Sequence, residues 1–126
     1  MVMFDTSILI DSLKGVKKAI DTIESYKGEE EATIAIVTKY ELLRSRKGLK
    51  LEVARMFVDT MNICYFGEKE MEKTIGIYEA LKGKGKLINE LDMMIAGTAE
   101  ANGQVLVASD EDFNEIGSDK IKVMKK

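Results

Sequence analysis

The sequence contains no histidine, no proline and no tryptophan, and only one cysteine, Cys64. Each absence removes a chemistry. Without histidine there is no Ser-His or Cys-His nucleophile pair. Imidazole and multi-thiolate zinc sites are excluded because neither ligand set exists. One cysteine closes no intrachain disulfide, so nothing points to an oxidising compartment. Apolar runs reach only four residues, as in Ile63 to Phe66, far short of a membrane span. Asp5 interrupts the N-terminus before a signal-peptide core forms. The expectation is a cytoplasmic protein with no membrane partner, whose chemistry rests on carboxylates, hydroxyls, Lys and Arg.

What is present is a globular balance: 126 residues, 45% hydrophobic and 33% charged, with a net charge of −3. That is one domain, residues 1–126, with no repeat and no low-complexity linker. Short apolar runs alternate with amphipathic stretches. Val2 to Phe4, Thr33 to Val37, Asn62 to Phe66, Gln104 to Ala108 and Lys120 to Met124 read as strands. Helices are expected at Ser7 to Leu13, around Val16, Ala19, Ile20 and Ile23, and along Leu49, Val53, Met56 and Phe57. Others follow along Met71, Ile75, Tyr78 and Leu81, and along Leu91, Met94, Ile95, Thr98 and Ala99, ending near Asn102-Gly103. Thr38 to Glu41 fits a capping box, Lys82 to Lys86 reads as a flexible basic loop, and Asp110 to Glu115 as one helical turn. Strands separated by helices imply βαβ crossovers and a mostly parallel sheet of about five strands, covered on both faces.

Charge is segregated. Leu87 to Asp119 holds eight carboxylates and no Lys or Arg, whereas Lys39 to Arg55 holds six basic residues against Glu41 and Glu52. These are either two solvated faces of opposite sign or an acidic metal pocket rimmed by phosphate-binding cations. Open parallel sheets bind ligands beyond the carboxyl ends of their strands. Asp5 follows the first strand there, Glu41 lies in the first turn after the second, and Asp110 follows Gln104 to Ala108. Asp92 opens the helix leading into that last strand, and its start would have to bend toward the same edge.

Taken singly, each acid has a capping or helix-dipole alternative. Only the metal reading requires convergence. Two ionised carboxylates ~5 Å apart repel by roughly 3 kcal/mol at an effective dielectric near 20, so four together demand proton uptake or a cation. An all-oxygen site suits Mg²⁺ or Mn²⁺, and a water of such an ion can attack a phosphodiester.

At these residues the sequence resembles the PIN-domain ribonucleases, especially the small VapC-type toxins of prokaryotic toxin–antitoxin pairs. The matching segments are Phe4 to Asp11 (FDTSILID), Thr38 to Leu42 (TKYEL), Leu91 to Ala99 (LDMMIAGTA) and Leu106 to Phe113 (LVASDEDF). The resemblance implies a three-layer α/β/α sandwich, Mg²⁺ or Mn²⁺ dependence, RNA hydrolysis leaving a 5′-phosphate, an antitoxin partner and a homodimer. It implies Asp5, Glu41, Asp92 and Asp110 as the metal-site and catalytic acids, Asp5 and Asp92 directly and the other two partly through water.

Asp112 matches the second acid of the closing pattern. A hydroxyl is usual two positions before the acid matching Asp110; here that residue is Ala108, and Ser109 directly precedes the acid. Gly97 replaces a slightly larger small residue, which implies close packing. Thr6 and Ser7 either hydrogen-bond the acid site or cap the first helix. Lys39, Arg44, Arg46 and Lys47 are the candidates for RNA contact, Arg44 alternatively pairing with Glu41 on the helix surface.

Three rivals are weighed against a nuclease. A Mg²⁺-dependent phospho-acceptor switch needs a nearby Lys that Leu87 to Asp119 does not supply. An aspartyl-nucleophile phosphatase needs a second Asp two residues after Asp5, where Ser7 stands. A catalytically silent PIN-fold interaction module has no need of all four acids.

Overall fold

The computed structural model describes residues 1–124. Five strands, β1 (Val2–Phe4), β2 (Ala32–Ala35), β3 (Asn62–Cys64), β4 (Val105–Ala108) and β5 (Ile121–Val123), form one sheet in the order 3-2-1-4-5. Every pairing is parallel. The connections carry six helices: α1 (Thr6–Leu13), α2 (Lys17–Lys27), α3 (Ile36–Leu43), α4 (Gly48–Val58), α5 (Glu68–Lys84) and α6 (Glu90–Ala101). A short 3-10 helix (Glu111–Ile116) joins β4 to β5.

Strand alternation sends successive side chains to opposite faces. Val2, Phe4, Ile34 and Val107 enter one core with Ile8 and Leu9 of α1 and Ile23 of α2. Met3, Ala35, Leu106 and Ala108 enter the other with Ile77 and Leu81 of α5 and Ile95 and Ala99 of α6. Helices on both faces make the three-layer α/β/α sandwich expected from the resemblance. Among the described residues, no helix is long and apolar enough to cross a membrane.

Strand order reverses between β1 and β4: from β1 the chain builds outward to β2 and β3 on one side, then to β4 and β5 on the other. That switch point opens a crevice at the carboxyl edge. Asp5 and Asp110 follow the two strands that flank it.

Three local expectations are corrected, and one helix forms with a different packed face from its larger residues. The second strand stops at Ala35, and Ile36 and Val37 open α3. A four-residue apolar run carries no period that separates strand from helix. Thr38 consequently lies inside α3 rather than before it. The N-terminal flank of that helix is Ala35, which has no side-chain cap, so there is no capping box with Glu41. The helix expected along Leu49, Val53, Met56 and Phe57 forms as α4; Ala54 and Val58 are its buried residues and Phe57 packs on the first core, while Leu49 and Met56 are 74% and 71% exposed. The basic Lys82-Gly83-Lys84 segment is not a loop: α5 runs through it and stops at Gly85, whose φ of +69° suits glycine.

Gly97 does mark a close approach. An added Cβ there would lie 2.9 Å from both Thr74 N and Thr74 Cα, so α5 and α6 touch backbone to backbone at this point.

Candidate active site

Asp5 is 1% exposed. Its N–H donates to Val107 O at 3.0 Å, which ties it to the end of β4. Its carboxylate caps α1, accepting from Ser7 N and Ile8 N at 3.1 Å each and from Ser7 Oγ at 2.5 Å. Burial pushes its carboxyl up to about 6; these hydrogen bonds pull it down, and the charge of Asp110 pushes it up again. Capping and membership of an acid cluster are therefore the same arrangement here, not alternatives.

Ser7 joins the two halves of the crevice. While its Oγ donates to Asp5, it accepts from both Ser109 N and Asp110 N at 3.1 Å. The sequence left Ser7 between helix capping and a carboxylate contact; its hydroxyl makes the carboxylate contact, and Asp5 is the cap of α1. Ser109 takes part through its backbone N–H. Asp110 is half-buried, and its Oδ1 accepts from the N–H of Asp112, which is exposed.

Glu41 lies in the second turn of α3, not its first, and is half-buried. Helical side chains lean toward the N-terminus, which carries it back to the sheet edge. Thr6 Oγ1 donates to Glu41 Oε1 at 2.7 Å and stands 3.2 Å from the buried Thr38 Oγ1. Arg44 Nη2 is 4.0 Å from Glu41 Oε2, and its guanidinium lies 5.3 Å from the centre of the Tyr40 ring.

Asp92 sits in the first turn of α6, behind the Asn89 cap. No bend is needed to bring it in. Because α6 ends where β4 begins, it runs antiparallel to that strand and starts at the carboxyl edge. Its carboxyl is raised to about 7, first by burial and then by the charges of Asp5, Asp110, Glu41 and Asp112. One side chain thus registers all four of the other acids, although the five span 108 positions of sequence. Among the described residues, no three acidic or thiol groups stand close enough together to hold one ion by direct contact. The donors are all carboxylate oxygens, and their mutual repulsion helps raise Asp92. That suits a hard dication that retains much of its water shell.

Two grooves border the first turn of α1. One is lined by Thr6, Ile10 and Glu41 together with Arg44, Arg46, Lys47 and Lys50. The other is lined by Ser7, Ile10 and Ser109 together with Asp11, Asp110, Glu111 and Asp112. Of the four basic candidates, Arg44, Arg46 and Lys47 line the first groove, whereas Lys39 does not. Lys50 belongs there and was distinguished in the sequence only as part of a basic run. Arg46 is anchored by a 2.6 Å bond from Nη1 to Leu42 O. Lys82 and Lys84 face elsewhere, Lys84 Nζ donating to Glu115 O.

A family model described as "PIN domain" matches residues 2–118. The chain is 34% identical over 99 residues to "Ribonuclease VapC1" of Methanocaldococcus jannaschii, covering 78% of this chain and 67% of that protein. Its fold superposes on a toxin–antitoxin complex from Klebsiella pneumoniae with a TM-score of 0.80 at 24% identity, over 96% of this chain and 95% of that one. VapBC-1 from nontypeable Haemophilus influenzae gives 0.82 at 20% identity, over 99% and 98%. At these identities the solved structures speak for the fold alone.

Proposed function

The chain belongs to the PIN-domain family, and on that premise we propose that it is a ribonuclease hydrolysing RNA phosphodiester bonds with Mg²⁺ or Mn²⁺. The observation that carries the reading is that Thr6 and Ser7, adjacent in the first turn of α1, bind Glu41, Asp5 and the Asp110 backbone at one sheet edge, where the same charges raise the carboxyl of Asp92. Separate helix caps have no reason to meet in one field. Asp5 and Asp92 would hold the ion, with Glu41 and Asp110 completing its surroundings through water. When bound, such an ion supplies an activated water and charge stabilisation at the scissile phosphate.

The chain's own groups then have distinct tasks. Thr6 fixes Oε1 of Glu41, while Oε2 lies 4.0 Å from Arg44 Nη2. Ser7 fixes Asp5 Oδ2 and the Asp110 backbone together, so the two acids flanking the crevice keep one spacing. Arg46, Lys47 and Lys50 hold the RNA backbone of a single-stranded or looped segment in the basic groove.

The relatives named as VapC and VapBC proteins support a narrower reading: a cytoplasmic toxin that forms a homodimer and is held by a cognate antitoxin. The exposed α4 residues Leu49, Val53 and Met56 offer apolar surface for a protein partner.

Incubation with unstructured RNA in Mn²⁺, with chelator and Asp5→Asn controls, tests the nuclease. Cleavage that needs both the ion and Asp5 is expected. RNA left intact by a folded, Mn²⁺-loaded protein would instead mark a silent PIN-fold module. Stable labelling by acetyl phosphate at Asp5 would favour a phospho-acceptor switch.

A further inference from the structure

The two grooves that meet at α1 carry opposite charge. The Thr6 side sets Arg44, Arg46, Lys47 and Lys50 against Glu41 alone. The Ser7 side sets Asp11, Asp110, Glu111 and Asp112 against no cation among the described residues. Ile10 borders both, so one helix turn separates a surface that attracts phosphates from one that repels them. An ion held by Asp5 and Asp92, with Asp110 reaching it through water, would offset part of the negative charge near the crevice. Asp11 and Glu111, at the outer side of the acidic groove, would keep theirs.

From this asymmetry we infer that the protein grips RNA on one side only of the bond it cuts. The inference rests on the ribonuclease reading and adds to it a substrate class: single-stranded RNA whose scissile bond lies close to one end of the gripped segment. Nucleotides in the Thr6 groove set binding. Nucleotides beyond the scissile phosphate cross the Asp11–Glu111 surface, which offers no cation among the described residues, and leave readily once the bond is broken. Three cations with no carboxylate partner among the described residues, Arg46, Lys47 and Lys50, set the scale of the salt dependence. For single strands that is a slope of about −2 in log affinity against log salt. Charge is screened over about 8 Å at physiological ionic strength, so each groove acts on the nucleotides lying in it and not on those across the helix.

The experiment uses the full chain and a pool of short, randomised, unstructured RNAs, so no cleavage sequence has to be known. In Mn²⁺, the product ends are sequenced and the distance from each cut to each original terminus is recorded. One-sided grip predicts cuts that approach one terminus to within a nucleotide or two but stay several nucleotides from the other. Equal distances from both ends would overturn it. In Ca²⁺, binding of the same pool is measured for Lys47→Glu/Lys50→Glu and for Glu111→Gln. The first is expected to lose roughly tenfold or more in affinity and to flatten the salt slope. The second is expected to leave affinity unchanged or higher. Equal losses in both variants, or none in the first, would sink the asymmetry. If no RNA is cut in Mn²⁺, the ribonuclease reading fails, and the binding comparison still decides whether RNA is held by one groove.

Discussion

The backbone N–H of Asp110 donates to Ser7 Oγ at 3.1 Å, across 103 positions of the chain. Through that hydroxyl, which in turn donates to Asp5 at 2.5 Å, the end of β4 is coupled to the end of β1. The family's usual hydroxyl position is Ala108 here, and Ser7 provides the link between these two loops.

Ser7→Ala should therefore leave the N–H groups of Ser109 and Asp110 without their acceptor and Asp5 without its side-chain donor. The expected cost is about 1–3 kcal/mol of stability. RNA cleavage should fall by more than lost folding explains, because the spacing of Asp5 and Asp110 loosens. Urea unfolding alongside cleavage rates at a temperature where the variant stays folded checks this. Wild-type rates in a destabilised variant would confine Ser7 to a structural role.

Thr6→Val keeps the shape of a buried side chain while removing the donor to Glu41 Oε1. Stability should change by about 1 kcal/mol. Cleavage should drop about tenfold, mainly in kcat, because Glu41 loses its fixed orientation. A change confined to KM would contradict that role.

Asp5 and Asp92 are both carboxyls raised in the folded state, from 3.8 to about 6 and about 7. A raised acid holds its proton more tightly when folded. Its contribution to stability is complete below 3.8 and is lost as pH climbs through the folded values. Protons and a dication compete for the same oxygens. The rise in Tm on adding Mn²⁺ should thus be small near pH 5 and large near pH 8, as thermal melts with and without chelator would reveal. A pH-independent increment would place the ion elsewhere.

Asp5→Asn should abolish the Mn²⁺-dependent rise in Tm and the cleavage. Asn is itself a good N-cap, and the substitution relieves repulsion with Asp110 and Asp92. The metal-free variant should be at least as stable as wild type. Marked unfolding in calorimetry would show that the ionised cap, not the acid cluster, is what the fold requires of this residue.

Gly97→Ala should destabilise by about 1–3 kcal/mol, because its methyl would meet the Thr74 backbone and not merely a movable side chain. Thr74→Ala should rescue it only in part. Full rescue would mean that the Thr74 hydroxyl and methyl alone fill the gap.

Much of the frame was legible in the residues themselves. Val2 to Phe4 and Val105 to Ala108 are short, continuously apolar runs that end in an acid or a Ser-Asp pair, and they form the two strands beside the crevice. Asn102-Gly103 stops α6 as a terminal signal should, and Gly97 announced a close helix contact. What misled was pattern without context. Ile34 to Val37 suits strand or helix equally, and only the sheet register ends β2 at Ala35. Leu49, Val53 and Met56 recur at helical spacing and α4 forms there, yet Ala54 and Val58 are the residues that enter the core, leaving those three outside. In α5 the glycines Gly76 and Gly83 stay within the helix because its packed face is set by Ile77 and Leu81.

The linear sequence determined which chemistry is available, acids and hydroxyls without imidazole, and where along the chain the acids stand. It also determined that alternating strands and helices would build a parallel sheet, because those properties depend on side-chain type and local period. Only the folded arrangement decided that Ser7 spans Asp5 and Asp110, that Glu41 answers to Thr6 and not Thr38, and that cations and carboxylates fall on opposite flanks of α1. Those are distances between residues remote in sequence, and nothing short of the packed sheet and its helices fixes them.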